Sequence, residues 1–154
     1  MSKFVGIMMK YPIGIQSFEQ LREDGYVYVD KTDLVYKLVT TGKIYFLSRP
    51  RRFGKSLLVS TLKNYFLGRR DLFEGLAISS LEKEWLEYPV FHIDFNSTNF
   101  KEQDALRTLL EETVSAWERI YPPAEKFSSI GKRFGEVLRA AHRCTGRRCV
   151  VLID

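Results

Sequence analysis

The tripeptide Gly54-Lys55-Ser56 and the basic loop before it are the residues of this chain whose types and spacing most directly suggest chemistry. The stretch Phe46-Leu47-Ser48-Arg49-Pro50-Arg51-Arg52-Phe53-Gly54-Lys55-Ser56-Leu57-Leu58 takes an apolar run into a tight loop and then into an apolar-striped helix. That context turns a Gly-Lys-Ser string into a phosphate-binding device. Backbone N–H groups of Pro50–Leu57, other than the proline's, can wrap a β-phosphate, and the helix dipole favours its charge. Gly54 permits close backbone approach, Lys55 can bridge β- and γ-phosphates, and the Ser56 hydroxyl can ligate a magnesium ion. Arg49 stands where the first glycine of G-x-x-x-x-G-K-[ST] is expected, a departure from the full pattern. Arg51 and Arg52 can either neutralise γ-phosphate charge or lie solvated.

A second signal closes the chain. Val150-Val151-Leu152-Ile153-Asp154 is an apolar run ending in a carboxylate, the form of a Walker B strand, in which the aspartate holds magnesium directly or through water. It follows the phosphate loop in the correct order. Lys55 and Asp154 are therefore the candidate catalytic residues, and Ser56 and Asp154 the candidate metal ligands.

Other residues admit two readings. Asp94, after Val90-Phe91-His92-Ile93, can face a site at the carboxyl edge of a sheet or cap a loop. Asp30 or Thr32 in Asp30-Lys31-Thr32 can cap a helix or reach a nucleotide. Tyr11, Pro12, Ile15 and Phe18 can pack on an adenine or in a core. His92 and His142 have no catalytic partner in sequence and read as structural, and no Ser-His-Asp or Cys-His arrangement is evident. Tyr65-Phe66, Phe73, Trp85 and Tyr88 read as core or interdomain packing. Arg69-Arg70 and Arg147-Arg148 are basic pairs that can touch nucleic-acid phosphates or remain solvated.

The elements that must position these groups follow from periodicity. Ser17 can cap a short helix through Arg22, ended by Asp24-Gly25, and Tyr26-Val27-Tyr28-Val29 reads as a strand. A helix carrying Leu34, Val35, Leu38 and Val39 stops at Thr41-Gly42. Ile44-Tyr45-Phe46-Leu47 reads as a strand buried on both faces of a parallel sheet. Ser56 to Leu67 has a helical stripe closed by Gly68, Val90 to Phe95 reads as a strand, and long amphipathic helices span about Lys101 to Ile120 and from about Ser129 to Gly146. Strands separated by helices predict an α/β fold with a mostly parallel sheet.

Length and composition bound the rest. The chain has 154 residues, 45% hydrophobic and 28% charged, enough for one core, which places it outside the disordered classes. No apolar stretch approaches the roughly 20 residues that span a bilayer, so a cytoplasmic protein without a membrane partner is expected. Cys144 and Cys149 stand without a second cysteine pair, cannot assemble a local four-ligand zinc site, and are read as reduced thiols. The net charge of +5 permits anionic partners without identifying one.

The sequence resembles the AAA-ATPase-like proteins of bacteria and some archaea, P-loop ATPases. The resemblance rests on Pro12-Ile13-Gly14-Ile15-Gln16-Ser17-Phe18, Tyr26-Val27-Tyr28-Val29-Asp30-Lys31-Thr32, Tyr45 to Leu57, Leu72-Phe73-Glu74-Gly75-Leu76 and Tyr88-Pro89-Val90-Phe91-His92-Ile93-Asp94. Arg-Pro-Arg-Arg-Phe-Gly-Lys-Ser is the specific part, and Arg49 is what the family carries. The resemblance implies a P-loop NTPase three-layer sandwich, incomplete at the C-terminus, with 1–42 as a lead-in and 43–154 as the start of the P-loop core of a single domain. It implies ATP or ADP with Mg2+ as ligands, and a strand inserted between Ile44–Leu47 and Val150–Ile153 that comes later in the chain. It also implies a glutamate after Asp154 that polarises water, so that residues 1–154 are an N-terminal fragment without hydrolysis, and in many members a PD-(D/E)XK nuclease-like tail that brings a nucleic-acid partner. Oligomeric state is left open. The competing reading is a nucleic-acid-binding or partner-binding module gripping polymer phosphates with the basic loop, without hydrolysis.

Overall fold

The computed structural model describes residues 10–48, 50, 52–97 and 104–154. Arg49 and Arg51 of the candidate loop, and the first residues of the helix expected from Lys101, lie outside the described residues. The chain divides into two compact units. The first gathers the described residues up to Tyr65 with Arg69–Trp85, and the second is Phe66–Gly68 with Leu86–Asp154.

In the first unit, α1 (Phe18–Glu23) begins at Ser17, whose Oγ accepts from the Gln20 N–H at 3.2 Å. It ends at Asp24, before the left-handed Gly25. Helix α2 (Thr32–Thr41) stops at Gly42, and α3 spans Lys55–Phe66. A 3-10 helix (Arg70–Phe73) and a four-residue α4 (Ile78–Leu81) follow, neither of which carries enough periodicity to be read from sequence. The core is aromatic: Phe18 is fully buried, with its ring 4.7 Å from that of Phe73 and 5.2 Å from that of Tyr28. Tyr65 and Trp85 stack edge-on at 5.7 Å beside Phe73. Arg22 ties α1 to the turn after the 3-10 helix by donating to the carbonyls of Leu72 and Glu74, each at 2.7 Å.

In the second unit, β1 (Val90–Ile93) and β2 (Val150–Ile153) pair in parallel with Ile93 opposite Ile153. Helices α5 (Ala105–Ile120) and α6 (Ile130–Thr145) cover them. Phe91, Val114, Val137 and Ala141 form the buried centre, with Trp117, Tyr121 and Phe134 packed around it. Gly146 closes α6 in the left-handed conformation at φ 67°, which a glycine adopts without a Cβ penalty. Glu136 is buried among this packing and is satisfied by Arg143, Arg139 and the Ala124 N–H.

Two expected strands do not form among the described residues. Tyr26–Val29 makes a single parallel bridge, Lys10 to Tyr26, and is held by its side chains instead: Tyr28 packs on Phe18 and bonds Thr61. Ile44–Leu47 has no ladder partner among the described residues and is exposed, Ile44 at 94% and Phe46 at 93%. The Tyr45 hydroxyl donates to the Leu38 carbonyl at 2.7 Å, curling the segment toward the end of α2. The observed architecture is mixed helix and sheet, with a two-stranded parallel sheet among the described residues.

Candidate functional site

The candidate loop is built on α3. Its helix starts at Lys55, one residue earlier than the periodicity suggests, and the first turn is closed by the Leu58 N–H donating to the Gly54 carbonyl at 3.0 Å. The helical N–H groups of Lys55, Ser56 and Leu57 precede the point at which intrahelical acceptors begin, so this turn presents donors and the positive end of the helix dipole. Gly54 is left-handed at φ 72°, and a Cβ placed there would meet nothing within 4 Å: the glycine is needed for conformation, and the space beside it is open. Arg52 is also left-handed, at φ 66°, a conformation a non-glycine residue holds at a cost of about 1 kcal/mol. Trp85 (φ 40°) and Asp104 (φ 67°) share this left-handed conformation elsewhere among the described residues. Pro50, Arg52, Phe53 and Gly54 are exposed, while Lys55, Ser56 and Leu57 are half-buried as α3 begins.

Asp154 belongs to the second unit. Its N–H donates to the Ile93 carbonyl at 3.0 Å and its carbonyl accepts from the Phe95 N–H at 2.9 Å, so it extends the parallel ladder past the end of β2. By the same register Asp94 follows Ile93 at the same edge, and its Oδ1 accepts from the Asn96 N–H at 2.8 Å. Loop capping is thus present at Asp94, and so is its placement at the carboxyl edge beside Asp154. Treating the two strands separately missed this pairing; the signal was that both end in Ile-Asp.

Other candidates resolve into structural roles. The Asp30 carboxylate accepts from the Thr32 N–H and hydroxyl and, at 2.7 Å, from the Ala77 N–H, while the Thr32 hydroxyl accepts from the Ile78 N–H. Asp30 and Thr32 therefore lock the start of α2 onto the start of α4. Although burial works the other way, these hydrogen bonds hold the Asp30 carboxyl below its ordinary range. Phe18 is core, unavailable to a base, while Tyr11 is exposed. Arg69 is engaged by Asp71, Glu19 and Glu23, which push its pKa up. His142 Nδ1 lies 2.7 Å from the Arg147 carbonyl.

Comparison with known proteins places the chain in a family. The model of the family described as "Predicted AAA-ATPase" matches residues 12–154, and the chain belongs to this AAA-ATPase-like family. It is 41% identical over 146 residues to an uncharacterized protein in the vnfD 5' region of Azotobacter chroococcum mcd 1. That match covers 94% of the chain and 28% of the relative, so the chain spans little more than a quarter of the length of the curated relative it matches. No solved structure matches the chain. Among the described residues, no helix is long and apolar enough to cross a membrane.

Proposed function

We propose that this chain carries the phosphate-binding part of a cytoplasmic P-loop ATPase, with ATP or ADP and Mg2+ as its ligands. The observation that carries the proposal is Gly54-Lys55-Ser56 at the N-terminus of α3, with a left-handed Gly54 and open space where a Cβ would stand. These residues fit a phosphate: open space beside Gly54, first-turn donors and a lysine at the helix start. Lys55 neutralises β- and γ-phosphate charge, and Arg51 and Arg52 add to it. Ser56 and Asp154 are the Mg2+ ligands; the metal, when bound, neutralises charge on the phosphate oxygens. The three-layer P-loop sandwich with a mostly parallel sheet belongs to this proposal too. So does the use of hydrolysis to drive a conformational change in a protein as long as the relative.

Nucleotide-dependent stabilisation tests the assignment. Ligand at a hundred times its Kd adds about 2.7 kcal/mol, which for a chain of this size raises Tm by roughly 5–10 °C. Mg2+ should enlarge the ATP shift in the parent and do so less in Ser56→Ala and Asp154→Asn. A parent chain unmoved by ATP-Mg and ADP-Mg, yet bound tightly by DNA without competition from ATP, would instead favour a polymer-binding loop.

A further inference from the structure

The positive charge of this protein gathers in two stretches: residues 43–70, which include the candidate loop, hold eight basic residues and no acidic one, and the second stretch lies in the other compact unit. Residues 129–149, which hold α6 and the turn leading into β2, contain six basic residues and one acidic residue, a net +5. Arg133 is turned to Glu118 at 2.7 Å and half-buried, which leaves Lys132, Arg139, Arg143, Arg147 and Arg148 exposed.

Helix stability does not explain this concentration. Arg143 in the last turn complements the helix dipole, but Lys132 stands in the first turn, where a cation opposes it. At 100° per residue, Lys132, Arg139 and Arg143 fall on one stripe of α6. Two of the three are splinted: Glu136 accepts from Arg139 Nε at 2.9 Å and from an Arg143 terminal nitrogen at 2.7 Å. Each guanidinium has five N–H donors, so this splint leaves others on each for an external acceptor. The turn beyond is organised as well. The Gly146 N–H donates to the His142 carbonyl, the Arg147 N–H donates to Thr145 Oγ1 at 3.2 Å, and the Arg147 guanidinium lies 6.0 Å from the Tyr88 ring centre.

We infer that this face is a docking surface for the phosphate backbone of a nucleic acid, bound without sequence preference. The guanidinium fork matches phosphate oxygens, and four of the five exposed cations are arginines. Among the exposed large apolar side chains, none lies between Ile120 and Val151. The surface thus lacks the aromatic or aliphatic anchor that a protein interface or an inserted membrane helix relies on. It also leads into the amino end of β2, the edge of the sheet opposite Asp94 and Asp154. The inference rests on the second unit alone and stands whether or not the loop 49–56 binds ATP.

The test is fluorescence anisotropy with a 20-base-pair DNA duplex and the full chain across 50–200 mM salt. Three arginine contacts predict a log–log slope of about −2.7, roughly a fortyfold loss over that range. Arg143→Gln/Arg147→Gln/Arg148→Gln should lose affinity and flatten the slope by nearly 3, while the triple lysine variant retains most of the binding. If the glutamine triple variant loses its helical signal, Arg148→Glu alone substitutes for it, with a several-fold loss expected. Parent-like binding by a folded glutamine triple variant, or by Arg148→Glu, would overturn the inference. So would the absence of duplex binding at 50 mM salt. Tighter binding to phosphatidylserine vesicles than to the duplex at equal salt, lost in the same variants, would overturn it in favour of a membrane surface.

Discussion

The Thr32 hydroxyl serves two helices at once, donating to Asp30 while accepting from the Ile78 N–H, and it is fully buried. Thr32→Val keeps the shape and leaves that N–H unsatisfied, at an expected cost of about 1–3 kcal/mol in chemical denaturation. Nucleotide affinity in the folded variant should be unchanged, since the motif is spent on α2 and α4; a selective loss of affinity would return Asp30-Lys31-Thr32 to the nucleotide. Glu136 gives a pH signature in the second unit. Arg143 first, then Arg139, hold its carboxyl at about 2, against an ordinary 4.5. A depressed folded value means that the carboxylate form is the one the fold favours. Its stabilisation is complete above about pH 4.5 and is lost as pH falls toward about 2. Urea midpoints should decline across that window in the parent and decline less steeply in Glu136→Gln, the remaining slope coming from other lowered carboxyls such as Glu118. Equal acid slopes in the two proteins would contradict the splint.

At the scale of elements, Gly54 is the hinge between loop and helix. Gly54→Ala meets no steric obstacle and must still hold φ near 72°, so its expected cost is about 1–2 kcal/mol, read as a drop of a few degrees in Tm. An unchanged Tm together with unchanged nucleotide affinity would mean that the loop does not depend on this conformation. Elements with local signals were legible in the sequence. Ser17 before Phe18, Gly42 after Thr41 and Gly146 after Thr145 mark helix ends because caps act within one turn. The Gly-Lys-Ser helix start was legible for the same reason. Strands were harder, because an apolar run becomes a strand only where a neighbour supplies ladder hydrogen bonds. Val90–Ile93 and Val150–Ile153 find each other, whereas Ile44–Leu47 and Tyr26–Val29, equally apolar or β-branched, find no strand partner among the described residues. The juxtaposition of Asp94 with Asp154 was hidden for that reason: it depends on a register between segments more than fifty residues apart.

At the scale of the whole molecule, family membership, a Gly-Lys-Ser helix start and a strand-end carboxylate support nucleotide binding, the function proposed for this chain. Its most direct test is isothermal titration of ATP-Mg into the parent chain and into Lys55→Ala, with circular dichroism confirming that both are folded. Removing one charge-assisted contact to phosphate should cost about 1.5–3 kcal/mol, a ten- to over hundredfold rise in Kd. Equal affinities in the two folded proteins, or no binding heat in the parent at millimolar ATP-Mg, would contradict the account.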